Sequence, residues 1–256
     1  MINIDTYAYS NTLKTVHPAE KFIFAVITLV VCLTSPSVIT PLIVLVLMTG
    51  GIVIKAGIPG GFFVKLMLVP LSFLILSVLT IAFSVSTALT GFWIAYNFGH
   101  VTVGIRYSDL ITAVHLFIKS LGSVSCLYFL ALTTPMTEII IVLGKMRVPP
   151  IITELMVLIY RFIFVFLEIA TTIRRAQSSR LGYVSLKSSF RSLSCLFSAL
   201  FGKVFLKSSE LFDSMEARGY SGTIKVLAKK YPISLKNYLI ISILDILLIM
   251  LNLLGR

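Results

Sequence analysis

The sequence predicts an all-α fold: a polytopic membrane helical bundle of about five spanning helices, with long crossing helices on the cytoplasmic side. Three observations predict it. The 256 residues are 57% hydrophobic and only 12% charged, roughly half the charged share of a soluble domain. Apolar runs long enough to cross a bilayer recur along the chain. The positive charge is also concentrated. Of a net +12, residues 174–236 carry twelve Lys/Arg against three Asp/Glu, and residues 1–173 carry nine against six. Such a block could contact nucleic acid, but between apolar helices it marks a cytoplasmic face. Three regions follow: an N-terminal transmembrane region over 1–135, a cytoplasmic-side region over 136–236, and a C-terminal transmembrane helix over 237–256.

Residues 1–21 are polar and irregular and end in His17-Pro18-Ala19-Glu20-Lys21. Pro18 suits a first helical turn, and Glu20 complements the positive end of the helix dipole. An uncleaved first span is expected over about 20–34, because Asp5 and Glu20 spoil the basic lead of a signal peptide. Ser35-Pro36-Ser37 breaks it, and a second span follows over about 38–54. The glycine-rich stretch from Lys55 to Lys65 reads as a loop. A third span is expected over about 66–90, an outer loop over 91–109, and a fourth span over about 109–132, stopped by Thr133-Thr134-Pro135. With the N-terminus inside, four spans return the chain to the cytoplasm.

Residues 136–147 then read as a short amphipathic helix ended by Pro149-Pro150. In the run 151–170, apolar residues favour insertion by roughly 7 kcal/mol, and Glu154, Arg161 and Glu168 oppose it by roughly 9 kcal/mol. Full crossing would also carry the basic block outside. Glu154, Arg161, Glu168 and Arg175 recur every seven residues and share one polar stripe. The expected element is a helix over about 151–180 lying obliquely at the cytoplasmic boundary; the alternative is an ordinary fifth span with a short return. The next helix, about 187–217, carries an apolar stripe of Phe190, Leu193, Phe197, Leu200, Phe201, Val204, Leu211 and Met215. Ser194, Ser198 and Gly202 recur every fourth residue, as at a close crossing, although a solvated serine face has the same spacing. A basic connector and a final span over about 237–254 complete the chain.

Several chemistries are missing. No Gly-x-x-x-x-Gly-Lys-Ser/Thr phosphate loop occurs, so the chain is not expected to hydrolyse ATP. His17, His100 and His115 are far apart, and Cys32, Cys126 and Cys195 lack metal or disulfide spacing. No Gly-x-Ser-x-Gly nucleophile motif is present, and neither a catalytic residue nor a bound cofactor is expected. His115 and Lys119 share a face of the fourth span, and Asp245 sits mid-way along the last. A structural Lys119–Asp245 pair is expected over a transport relay.

The two long helices end in similar phrases, Ser179-Arg180-Leu181-Gly182-Tyr183 and Ala217-Arg218-Gly219-Tyr220. A cation at a helix C-terminus is favoured by the dipole, and Gly219 suits a left-handed stop. One copy would be an ordinary capped end. Two copies on the charged side suggest guanidiniums projecting together toward a cytoplasmic partner, forked onto its carboxylates or carbonyls.

These phrases, with Asp5-x-Tyr7-Ala8-Tyr9-Ser10-Asn11, His17-Pro18-Ala19-Glu20-Lys21, Leu132-Thr133-Thr134-Pro135, Val148-Pro149-Pro150 and Tyr160-Arg161-Phe162, resemble the transmembrane T component of energy-coupling factor (ECF) transporters, of the CbiQ type found in cobalt uptake systems. The resemblance covers nearly the whole chain. It implies a coupling subunit joining two cytoplasmic ATP-binding subunits to a small substrate-binding membrane subunit, in the cytoplasmic membrane of a prokaryote, with the metal bound by that other subunit. It also implies ATPase coupling through Ala217, Arg218 and Gly219, and through Ser179, Arg180, Leu181 and Gly182, where serine replaces the family's alanine and leucine precedes the glycine. Nickel or a vitamin as substrate, a conventional ABC permease, or a membrane enzyme using Glu154, Arg161 and Asp245 are the competing readings.

Overall fold

A computed structural model describes residues 3–86, 92–98, 101–220, 231 and 235–254. It divides into two compact units, one made of Met1–Ile139 and Lys230–Arg256, the other of Ile140–Lys229.

In the first unit, α1 (Asn3–Ser10) and a 3-10 turn lead into α2 (Pro18–Thr34). Pro18 occupies the first helical position, where no N–H is needed, and His17 Nδ1 accepts from Ala19 N at 3.1 Å. α3 (Ile39–Gly50) continues into a π-helical turn at Gly51–Lys55. α4 (Gly60–Ala82) contains Pro70. α5 (Tyr107–Thr133) is the hub, and α1, α2, α3 and α4 all pack on it. α9 (Leu235–Leu254) packs on α2 and α3. The core joins Phe24, Cys32, Val44, Met48, Ile52, Phe129, Leu132 and Leu248. Outward faces are equally apolar, with Phe73 71% and Val46 66% exposed, which fits hydrocarbon rather than water as the surrounding solvent.

Helices therefore form where the spans are expected, with one difference of substance. α4 stops at Ala82, well short of the expected 90. Part of the segment from there to the start of α5 pairs as β1 (Phe83–Ser86), β2 (Phe92–Phe98) and β3 (Val101–Arg106), an antiparallel sheet in the order β1-β3-β2. The expected outer loop over 91–109 is corrected accordingly. Its sequence held the signal: Val101-Thr102-Val103 alternates, and Phe92, Trp93, Ile94 and Tyr96 favour a pleated surface.

α6 (Met136–Lys145) begins in the first unit and ends in the second. The second unit is dominated by α7 (Pro150–Ser179) and α8 (Leu186–Ala217). Pro150 opens α7 at its first position, and a reciprocal Ser185–Ser188 capping box opens α8. α4, α5, α7 and α8 are each long and apolar enough to cross a membrane.

Close approach in the first unit is permitted by glycine. A Cβ on Gly122 of α5 would sit 2.9 Å from the Pro41 carbonyl and 3.0 Å from Cys32 Sγ. Backbone cannot yield there as a side-chain tip could. Gly122→Ala should cost about 1–3 kcal/mol through overpacking, read as a lower unfolding midpoint of the detergent-solubilised protein. An unchanged midpoint would show that α5 and α3 are less closely apposed.

Candidate functional site

The arginine-ended helices finish in the same backbone motif. At the end of α8, Gly219 N donates to Glu216 O at 2.9 Å and Tyr220 N to Met215 O at 3.0 Å, with Gly219 at φ +73°. At the end of α7, Leu181 N donates to Ser178 O at 3.1 Å and Gly182 N to Gln177 O at 2.9 Å, with Leu181 at φ +59°. Both are Schellman closures, which satisfy carbonyls that the last helical turn leaves without partners. Arg180 and Arg218 hold the same C-cap place with nearly the same backbone angles, φ −98° and −92°.

The matching hydrogen bonds show which residue stands in the place of Gly219. It is Leu181, held left-handed at a cost of roughly 1–2 kcal/mol, not Gly182. Gly182 serves a separate need: a Cβ there would lie 2.6 Å from Ser192 Oγ and 2.9 Å from Gln177 O. Sequence reasoning missed the role of Leu181 because leucine is a poor candidate for that conformation. Counting from each arginine would have revealed it.

α7 and α8 form an antiparallel hairpin. Near the turn, Gln177 Nε2 donates to Ser192 O at 2.9 Å, Ser192 Oγ to Gly182 O at 2.8 Å, and Tyr183 OH to Gln177 Oε1 at 2.7 Å. The Arg174 guanidinium lies over the Tyr183 ring at 5.8 Å. At the far end, Tyr220 OH donates to Glu154 Oε2 at 2.8 Å, and this bond to a carboxylate holds the Tyr220 phenol above its ordinary pKa. Sequence reasoning had not paired these residues, since 66 positions separate Glu154 from Tyr220.

The expectation that both guanidiniums project together is therefore corrected. Arg180 lies by the Ser192 end of α8 and Arg218 at the other. At 1.5 Å rise per residue, the stretch from Ser192 to Arg218 covers roughly 39 Å. Antiparallel packing places the C-terminal ends of two consecutive helices at opposite poles. The close crossing expected at Gly202 is likewise not made among the described residues: none lies within 4 Å of where a Cβ would sit there, and Ser194, Ser198 and Gly202 are exposed.

The polar stripe of α7 is split in use. Glu154 binds Tyr220, whereas Arg161, Glu168 and Arg175 are exposed. The apolar stripe of α8 also divides. Leu196 is buried and Leu200, Val204, Leu211 and Met215 are half-buried, while Phe190 is 73% and Phe201 76% exposed. In the first unit the expected Lys119–Asp245 pair is replaced by another contact. Lys119 Nζ donates to Ser35 O at 3.2 Å, and Asp245 Oδ1 is buried without a hydrogen-bond partner among the described residues. His115 Nε2 is similarly buried and unpartnered, and His100 lies outside the described residues. Among the described residues no three His, Cys, Asp or Glu side chains come together.

These features define a multi-pass helical membrane protein whose distinguishing part is a two-helix hairpin with matched cationic ends. A family model described as cobalt transport protein, CbiQ, matches residues 9–229; the chain belongs to that family and is a multi-pass protein of the plasma membrane. An uncharacterized protein of Methanocaldococcus jannaschii is 36% identical over 248 residues, covering 97% of this chain and 91% of that protein. The cobalt transport protein CbiQ of Salmonella typhimurium is 33% identical over 61% of this chain and 69% of its own length. A putative fused cobalt transport protein CbiMQ of Methanocorpusculum labreanum is 33% identical over 86% of this chain, which spans 36% of the fusion.

Two measurements check this geometry. Spin labels at positions 179 and 217 should report a distance near 40 Å, and a distance below about 20 Å would refute the antiparallel hairpin. Leu181→Gly should stabilise the protein by roughly 1 kcal/mol by removing left-handed strain, seen as a higher unfolding midpoint; a lower midpoint would contradict the shared closure.

Proposed function

We propose that this chain is the non-catalytic coupling subunit of an ATP-driven ECF cobalt importer. It would link two cytoplasmic ATP-binding subunits to a small substrate-binding membrane subunit. The observation that carries the reading is the pair of identically closed, arginine-capped ends on one hairpin. Each guanidinium stands at a C-cap, exposed, with its backbone fixed by two hydrogen bonds. A fork of N–H donors in that position can seat on carboxylates or backbone carbonyls of a partner groove. Separation of the ends by roughly 39 Å suits two receiving subunits, one per arginine, better than a single groove.

The charge pattern supports a cytoplasmic setting for the turn. Arg174, Arg175, Arg180, Lys187 and Arg191 surround it without an acidic residue between them. Exposed phenylalanines along α8, including Phe197, Phe205 and Phe212, offer lipid or an apolar membrane subunit a surface that water would not favour. The exposed row Ser194, Ser198 and Gly202 would allow such a helix to approach closely. Membership of a transport family, and relatives named as cobalt transport proteins, support cobalt before nickel or a vitamin. A conventional ABC permease would bind substrate itself and present one coupling loop rather than two arginine-capped ends.

Replacing Arg180 and Arg218 together by alanine should leave insertion intact. Co-purification of the ATPase should fall by at least tenfold, and cobalt uptake into cells should be abolished. Undiminished assembly and uptake would refute the assignment. Each single variant should retain one contact and show an intermediate loss.

A further inference from the structure

The second unit is a single insertion in the first. The chain leaves the first unit between Ile139 and Ile140 and returns to it between Lys229 and Lys230. Just inside each crossing, on the first unit's side, stands a polar residue: Glu138 in the first turn of α6, and Tyr231 ahead of α9. The two side chains are hydrogen-bonded, with Tyr231 OH donating to Glu138 Oε1 across 93 residues of sequence. Nothing in the sequence signals this contact.

Their surroundings are built for the bond. Glu138 Oε2 is buried and has no hydrogen-bond partner among the described residues, while Oε1 accepts from Tyr231. Lys21 is close enough for its ammonium and the Glu138 carboxyl to interact electrostatically. The His17 ring meets the Tyr231 ring edge-on at 6.1 Å between centroids. Next to Glu138, Thr137 Oγ1 shares a hydrogen bond with Tyr9 OH at 3.4 Å. Pro135 accepts from Glu138 N and Ile139 N, which fixes the start of α6 directly after the end of α5.

We propose that Glu138 and Tyr231 form a clasp, a pair of positioning residues that ties the outgoing and returning segments of the inserted hairpin together at one point of the membrane bundle. The proposal rests on the coupling role assigned above and adds the route by which motion reaches the bundle. Two independent attachments would load α6 and α9 separately, and a displaced hairpin could shear one against the other. With the clasp closed, displacement arrives at one site, flanked by His17 and Lys21 of the α2 start and by Thr133 and Pro135 at the α5 end. Burial, followed by the neighbouring carboxyl as acceptor, pushes the Tyr231 phenol well above its ordinary pKa. The donor thus keeps its proton at any physiological pH.

The test uses the assembled transporter reconstituted in proteoliposomes, with Tyr231→Phe, Glu138→Ala and the double variant. Each should still co-purify with the ATPase and hydrolyse ATP within twofold of the parent, while cobalt uptake falls at least tenfold. The double variant should be no worse than the poorer single one. Glu138→Gln keeps the acceptor oxygen and should restore uptake to within threefold of the parent. A purely structural role would instead lower assembly and hydrolysis together with uptake. Unchanged uptake in Tyr231→Phe, or independent losses that multiply in the double variant, would overturn the clasp while leaving the coupling role standing.

If the parent chain failed to bind any ATPase, the coupling role would fail instead. The clasp is then judged on the chain alone in membranes, with Glu138→Cys and Tyr231→Cys treated with a short bifunctional thiol reagent. An intramolecular cross-link supports it; absence of one overturns it.

Discussion

Capping of the carbonyls at the C-terminal end of α5 is the constraint on which the bundle depends. A helix end leaves its last carbonyls without intrahelical partners, and in an apolar setting each must find a donor. Here Lys21 Nζ donates to Thr133 O at 2.8 Å, and the Asn11 amide reaches Leu132 O and Thr133 O at 3.3 Å. Lys21 also reaches Leu13 O at 3.3 Å. A buried ammonium is costly when unpaired, and a helix C-terminus is where a cation is favoured. One arrangement thus meets both needs and fixes α1, the start of α2 and the end of α5 to one another.

Much else follows from that junction. α5 is held at the centre, so α3 and α4 pack on it, and Gly122 and Gly51 let its neighbours approach. Pro135 ends α5 and starts α6 within two residues, so α6 begins directly at this junction. Charged Lys21 and Glu20 are nearly inaccessible, at 3% and 1% exposure, although they sit in what hydropathy reads as the first turn of a span. Their place is interior to the protein rather than against lipid, where ionisable groups are expected in membrane proteins. Asn237 Nδ2 donates to Glu20 Oε2 at 3.2 Å and brings α9 to the same corner.

The hairpin obeys a different logic. No residue of α7 is buried and Leu196 alone is buried in α8. Such helices are not stabilised by a core of their own; propensity, caps and the few polar contacts at their two ends hold them. Leu181 in a left-handed conformation is strain kept at an exposed position next to an arginine, a combination that points to function rather than folding. Its exposed apolar faces suit lipid or the apolar surface of another chain better than water.

Sequence alone determined the class of the molecule. Its apolar runs, its breaks at Ser35-Pro36-Ser37 and Pro149-Pro150, and the bounds of α2, α7 and α8 are local properties, set by hydropathy, proline and capping chemistry. The quoted phrases around Asn11, Lys21 and Thr133 were legible as words but not as one junction, because their contacts span more than a hundred residues. Tertiary structure decided the pairings. It placed Arg180 and Arg218 at opposite poles, gave Lys119 to Ser35 rather than to Asp245, joined Glu138 to Tyr231, and turned residues expected as loop into a sheet. The physical reason is that helix formation is written in neighbours three and four apart, whereas which ends meet depends on chain direction and close packing. Neither of those has a local signature.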